Sequence, residues 1–416
     1  MPQTHRIEFP SKTVPAFLGI RGYCCIAVFL THAFKTSQFQ VGLLHYPALA
    51  FLGTGAIAVT LFFVLSGYLI TKSLRETRHY DGHIKAFYTR RILRLLPPYY
   101  CVLIAVACVD ALQGVRLDYH FWADFLCIQN MLPGFAAQTG SPISQTAHLW
   151  SVAVEWQFYV LWPLAVWCFR SRRSLLRFTL AGIALSWVFR LACPLLHIGP
   201  LEAYFLTPAR IDAILLGAAL ALVREQPAFE RARRIAPSVA LVTAMIGVLL
   251  PCLFGEDAFE TNLGSNFSYF WADLSASAIL LVVLNEQSLL ARACNWKWIC
   301  RLGVISYSVY LFHFAFRDWD LLQFVPRLTP HMHFSHAIVL ISACSFGAAC
   351  ALATLSYFLI ERPARMLGER LHFDRQTLMQ VPRAGNDERV LAERGLLNLA
   401  AYDLATLHHK ADLRQH

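Results

Sequence analysis

The sequence predicts an all-α, polytopic membrane protein of about ten transmembrane helices, and three observations carry that expectation. Hydrophobic residues make up 57% of the 416 residues and charged residues only 15%, against about 25% charged in ordinary soluble domains. Apolar stretches long enough to cross a hydrocarbon core of ~30 Å recur along the chain. Lys and Arg concentrate in every second connection between those stretches, which is the charge pattern of cytoplasmic loops. The net charge of +10 is thus spread over short runs rather than gathered in one patch, which argues against nucleic acid as a partner.

The elements follow in order as apolar segments near 16–34, 48–71, 98–113, 150–169, 176–196, 210–223, 237–254, 270–284, 303–324 and 336–360. The first lacks a small-residue cleavage signature and reads as an uncleaved span. The second connection carries Lys72, Arg75, Arg78, Lys85, Arg90, Arg91 and Arg94, and the fourth carries Arg170, Arg172, Arg173 and Arg177. The sixth carries Arg224, Arg231, Arg233 and Arg234, and the eighth Arg292, Lys297 and Arg301. The alternation places these loops and both termini in the cytoplasm. Pro97 and Pro98 mark a turn from a short amphipathic interfacial helix into the third span. Three regions result: a cytoplasmic tail over 1–14, a membrane domain over 15–361, and a cytoplasmic tail over 362–416. Within the last, 390–407 reads either as a surface helix or as a solvated tail.

Intramembrane ionisable residues then mark where chemistry could sit. Arg21 and His32 are eleven residues apart, about 20° past three full turns, so they share a face with roughly 16 Å between them in depth. A snorkelling Arg and a satisfied core histidine are the bland alternative. The fourth span opens His148-Leu149-Trp150-Ser151 and places Glu155 one turn inside the outer boundary, on the face of Ser151 and Tyr159. The sixth starts with Arg210 and Asp212 at the same depth, and the ninth carries Ser306, Tyr310 and His313 along one stripe. His32 with a neighbouring carboxylate, Glu155, is a general-base pairing, and an Arg could steady developing negative charge. An ion-pair network that fixes helix packing is the alternative. At the inner face, Arg91 and Arg94 share a helix side beside Arg90, and two guanidinium forks suit a multiply phosphorylated ligand. Plain positive-inside anchoring is the competing reading.

The twelve cysteines show no metal-ligand spacing and no metal is expected, although His331, His333 and His336 lie close together. Gly53, Gly55 and Gly67 read as close-packing points between helices.

Seven ordered blocks resemble acyltransferase family 3. They are Arg21-(ten residues)-His32, the run Leu61 to Ile70, Arg90-Arg91-Ile92-Leu93-Arg94, His148 to Tyr159, Pro208 to Asp212, Ile305 to His313, and Glu361-Arg362-Pro363. The resemblance implies an integral-membrane O-acyltransferase in the plasma (inner) membrane. It would take an acetyl or other short acyl group from acyl-CoA to a hydroxyl of a sugar or other surface acceptor. On that resemblance Arg21, His32 and Glu155 would be catalytic and Arg91 and Arg94, with Arg90, would bind the donor. Ser151, Arg210, Asp212, Ser306, Tyr310 and His313 would support the site. Trp156 stands where the family motif has a second Glu, and Thr60 where it has an Asp. The stand-alone form, without a C-terminal esterase-like domain, is expected. A transporter or flippase using the same polar interior is the alternative function.

Overall fold

A computed structural model describes residues 15–34, 55–78, 82–114, 119–135, 146–254, 262–328, 330–332 and 334–368. The terminal tails, the segment expected over 390–407, Gly53 and His333 lie outside them. Among the described residues every regular element is helical and no strand occurs.

Among the described residues, ten long helices overlap the ten apolar segments. They are α1 (Pro15–Phe34), α2 (Gly55–Thr77), α3 (His83–Leu112), α5 (Trp150–Cys168), α6 (Arg172–Ala192), α8 (Thr207–Val223), α9 (Pro227–Phe254), α10 (Asn262–Val283), α12 (Lys297–Leu328) and α13 (Phe334–Ser356). Short helices α4 (Tyr119–Phe125), α7 (Pro200–Phe205) and α11 (Leu289–Cys294) join them. Seven helical stretches among the described residues are long and apolar enough to cross a membrane by length and composition. Large apolar side chains left exposed on α6, such as Leu185, Val188 and Leu191, suit a surface that meets lipid.

Local chemistry explains several boundaries. Ser171 caps α6, its hydroxyl accepting from the Ser174 amide at 3.0 Å, and Ser288 caps α11 through the Ala291 amide at 3.0 Å. Pro208 lies in the first turn of α8, where a missing N–H costs nothing.

One expectation is corrected. Pro97 and Pro98 do not turn the chain: α3 runs unbroken from His83 to Leu112 through both of them. Adjacent prolines remove only the donors owed to the Leu93 and Arg94 carbonyls, and the helix continues around them. The Tyr307 hydroxyl, donating to the Leu95 carbonyl at 3.0 Å, ties this stretch to α12.

Two helix pairs meet at backbone distance and set the lateral arrangement. A Cβ on Gly67 of α2 would collide with the Ile214 carbonyl of α8, and one on Gly217 with the Val64 carbonyl. Likewise Gly22 of α1 lies against Ile299 of α12, and Gly303 against Leu18. Small residues at such crossings let helices associate where lipid supplies no hydrophobic drive. The connection after α3 also folds back into the bundle. Asp124, Gln129 and Asn130 are buried there, and Asn130 Nδ2 donates to the Phe205 carbonyl at 2.9 Å. Gln157 of α5 bonds the Cys127 carbonyl and Asn130 Oδ1, both at 2.9 Å, which seats this connection on α5 and α8.

Candidate active site

A cavity of about 450 Å3 opens among α1, α2, α3, α5, α12 and the turn after α13. Its wall is apolar along Phe17, Phe62, Leu69 and Val304 and strongly basic elsewhere. Six cations line it, Arg21, Lys72, Arg90, Arg91, Arg94 and Arg365, against one carboxylate, Glu155. None of the five arginines has a carboxylate within 4 Å among the described residues. Uncompensated cations inside a helical bundle are costly, and such a lining suits an anion.

The helices explain how these side chains arrive. Arg91 of α3 lies over the rings of Phe87, at 5.6 Å, and Tyr159, at 5.3 Å, contacts that hold the guanidinium at the wall. Glu155, one turn into α5, accepts from the hydroxyls of Ser66 and Tyr159. Arg21 Nε donates to Ser306 Oγ at 3.3 Å, and Ser306 Oγ in turn donates to the Gly303 carbonyl at 2.9 Å. Ser151 and Tyr310 also line the cavity, with their hydroxyls 2.7 Å apart. The Tyr310 hydroxyl donates to the His148 carbonyl at 2.5 Å, so its hydrogen bond with Ser151 has Ser151 as donor.

Beyond Tyr310 stand the histidines. His313 Nδ1 is 2.6 Å from the Tyr310 carbonyl, and His313 Nε2 is 3.0 Å from His32 Nδ1. A carbonyl only accepts, so His313 carries its proton on Nδ1 and offers a lone pair at Nε2. His32 must then donate from Nδ1, and the lone pair of the neutral His32 ring falls on Nε2. With both rings neutral, this arrangement leaves His32 an acceptor nitrogen, as general-base chemistry requires. His148 packs into the same group, its ring stacked on Phe314 at 4.6 Å and 5.0 Å from that of His313.

Of the twelve residues singled out from the sequence, Arg21, Arg90, Arg91, Arg94, Ser151, Glu155, Ser306 and Tyr310 line this one cavity. His32 and His313 adjoin it through Tyr310. Arg210 and Asp212 are placed elsewhere, among α2, α6, α8 and α10. Asp212 forms an ion pair with Arg190 at 2.6 Å and accepts from Trp187 Nε1 at 3.0 Å. Arg210 is 1% exposed, donates to Thr60 Oγ1 at 2.9 Å and lies over the Tyr269 ring at 5.0 Å. Thr60, at the position where the family motif has an acid, thus gives Arg210 a neutral acceptor. The expected pairing of Glu155 with the His32 ring takes a different form: His32 Nδ1 meets His313, and Glu155 holds Ser66 and Tyr159. Helix packing is the reason, since α1 lies in close contact with α12 while α5 lies against α2 and α8.

Sequence reasoning assigned no role to Ser66, Lys72, His148 or Arg365. Ser66 stands in the Leu61 to Ile70 run and His148 opens the fourth block, so motif membership was the available signal for both. Among the described residues no group of three or more His, Cys, Asp or Glu side chains is arranged to hold a metal ion.

The Arg190–Asp212 pair gives a stability test. Arg190→Ala leaves a buried carboxylate without its partner, and breaking such a pair costs about 3–5 kcal/mol. A clear fall in the thermal midpoint of the purified protein in detergent is expected; an unchanged midpoint would remove the pair from the forces holding α6 to α8.

Fold and site together define a helical integral-membrane protein with a cation-lined interior cavity and an adjoining histidine pair. The chain belongs to the acyltransferase-domain family, whose model matches residues 15–358. It is 27% identical over 379 residues to YrhL of Bacillus subtilis, a candidate peptidoglycan O-acetyltransferase, covering 86% of this chain and 56% of that protein. It is 26% identical to the peptidoglycan O-acetyltransferase OatA of Listeria monocytogenes, covering 87% of this chain and 57% of that one. Against the O-acetyltransferase OatA of Staphylococcus aureus the identity is 24%, covering 86% and 58%. The chain therefore spans somewhat over half the length of these relatives. No solved structure matches it.

Proposed function

We propose that the protein is a plasma-membrane O-acyltransferase that moves an acetyl or other short acyl group from acyl-CoA to a hydroxyl of a surface polysaccharide. The observation that carries this reading is the cavity with six cations and one carboxylate, whose wall residue Tyr310 meets His313 of the His313–His32 pair through its backbone carbonyl. Phosphates of the donor would meet the arginines, leaving the thioester to extend along the apolar wall. His32 Nε2 would take the acceptor hydroxyl proton as that oxygen attacks the thioester carbonyl. The C–O bond forms, the C–S bond breaks, and the leaving thiolate takes up the proton. Arg21, at the other end of α1 from His32, would meet donor phosphate together with the α3 arginines. The relatives named for peptidoglycan O-acetylation support a cell-wall sugar as acceptor class.

The alternating basic loops support cytoplasmic termini and a donor entering from the cytoplasm. Membrane vesicles of defined sidedness test function and orientation together. Inside-out vesicles are expected to release CoA from labelled acetyl-CoA added outside and to transfer the label to an acceptor, whereas sealed right-side-out vesicles are not. Activity from the wrong face would reverse the orientation. Movement of substrate with no release of CoA would make the protein a transporter.

A further inference from the structure

Arg365 lies seven positions past the end of the family match at 358, on the segment that follows the last long helix, and it faces the same cavity as Arg91 and Arg94. Between α13 and this segment the backbone passes through a π-helical turn, Tyr357–Glu361, before a further helical turn reaches Gly368. An i→i+5 turn inserts one residue into the helix and rotates everything after it, a distortion that is frequent at functional sites. Here the rotation brings Arg365 and Gly368 against the start of α3, where Gly368 lies beside Leu93.

The side chain is fixed but its charge is not satisfied. The guanidinium lies 4.9 Å from the Tyr357 ring centre, a contact that orients it. Its Nη2 atom is buried and has no hydrogen-bond acceptor among the described residues. Glu361, four positions before it and one helical turn away, is 3% exposed and accepts from Ser308 Oγ at 2.6 Å. Arg365, Arg94 and Arg21 all act electrostatically on that single carboxylate, so three cations share one counter-charge. A buried donor without an acceptor, at the wall of a cavity already rich in unpaired cations, points to a phosphate oxygen as the missing partner.

We infer that Arg365 and Arg94 form a two-sided phosphate clamp in the wall of the cavity, reaching from the segment after α13 and from α3 to a phosphate of the nucleotide end of the donor. This rests on the acyl-CoA reading. The same chemistry could be met by an anionic lipid headgroup, and the test separates the two sources.

Full-length protein in nanodiscs of zwitterionic lipid is titrated with CoA and with pantetheine, which carries no phosphate. Arg365→Gln is expected to weaken CoA binding about tenfold, the size of one lost charge-assisted hydrogen bond, and to leave pantetheine binding as it was. Arg365→Lys should recover part of the loss, since it keeps the charge without the fork. Equal weakening of CoA and pantetheine would overturn the clamp in favour of a packing role. A CoA affinity unchanged by Arg365→Gln would remove the clamp while leaving the donor reading intact. An effect present only when the discs contain phosphatidylglycerol would reassign the residue to a lipid headgroup. Wild-type protein that fails to bind CoA would bring down the donor reading itself, and the clamp with it.

Discussion

His32→Ala is expected to lower acyl transfer by roughly 10²–10⁴-fold while acyl-CoA affinity stays close to that of the wild type. The size follows from removing a general base, and the selectivity follows from position. His32 lies at the far end of α1 from the arginine wall, beside His313 rather than among the cations. With an intrinsic pKa of about 6.5, a neutral imidazole can accept a hydroxyl proton near neutrality. Its Nδ1 is committed to His313, so no rotation of the proton between ring nitrogens is needed before attack. Turnover and acyl-CoA affinity should be measured on the same preparation, at matched expression. Near-normal turnover in His32→Ala would exclude the base and move attention to His313 or Glu155; a parallel collapse of affinity would mean that the ring supports the cavity rather than the reaction.

Replacing both Arg91 and Arg94 with alanine is expected to produce the opposite division. Each charge-assisted hydrogen bond to phosphate is worth about 1.5–3 kcal/mol, or roughly ten- to a hundredfold in affinity, and two are removed at once. Donor affinity should therefore fall steeply, with transfer at saturating donor falling much less. Lysine at both positions should restore only part of the affinity, because an ammonium cannot grip two oxygens bidentately. The double variant should remain folded, since among the described residues neither arginine has a carboxylate within 4 Å whose loss would leave a buried charge. Unchanged donor affinity would reduce both residues to markers of membrane orientation.

How much of this was legible in the sequence depends on which coordinate is asked for. Helical periodicity gives position along a helix and around it. The eleven-residue spacing of Arg21 and His32 put both on one face, and that face meets Ser306 and His313, two members of the stripe read on α12. Periodicity does not say which helices are neighbours. Glu155, Arg210 and His32 were grouped by depth, yet Arg210 lies against Thr60 and Tyr269 while Glu155 lies against Ser66 and Tyr159. That lateral order is decided by close contacts such as Gly67 with Ile214 and Gly303 with Leu18. Each depends on the shapes of two distant segments at once. Pro97 and Pro98 failed as boundary signals because two missing donors do not by themselves end a helix whose other bonds persist, and α3 runs through both. The π-helical turn that redirects Arg365 leaves no mark in hydrophobic period, because it shifts the phase by a single residue.

The central claim is that one cavity holds the donor's phosphates at the arginine wall and delivers its acyl end toward Ser151, Tyr310 and the histidine pair. An experimental structure of the protein in nanodiscs with a non-hydrolysable acyl-CoA analogue tests it most directly. The expected result is continuous ligand density from Arg90, Arg91 and Arg94 to the hydroxyls of Ser151 and Tyr310, with the thioester mimic on the side facing His32. Density for the nucleotide away from these arginines, or an acyl end pointing away from the histidine pair, would contradict it.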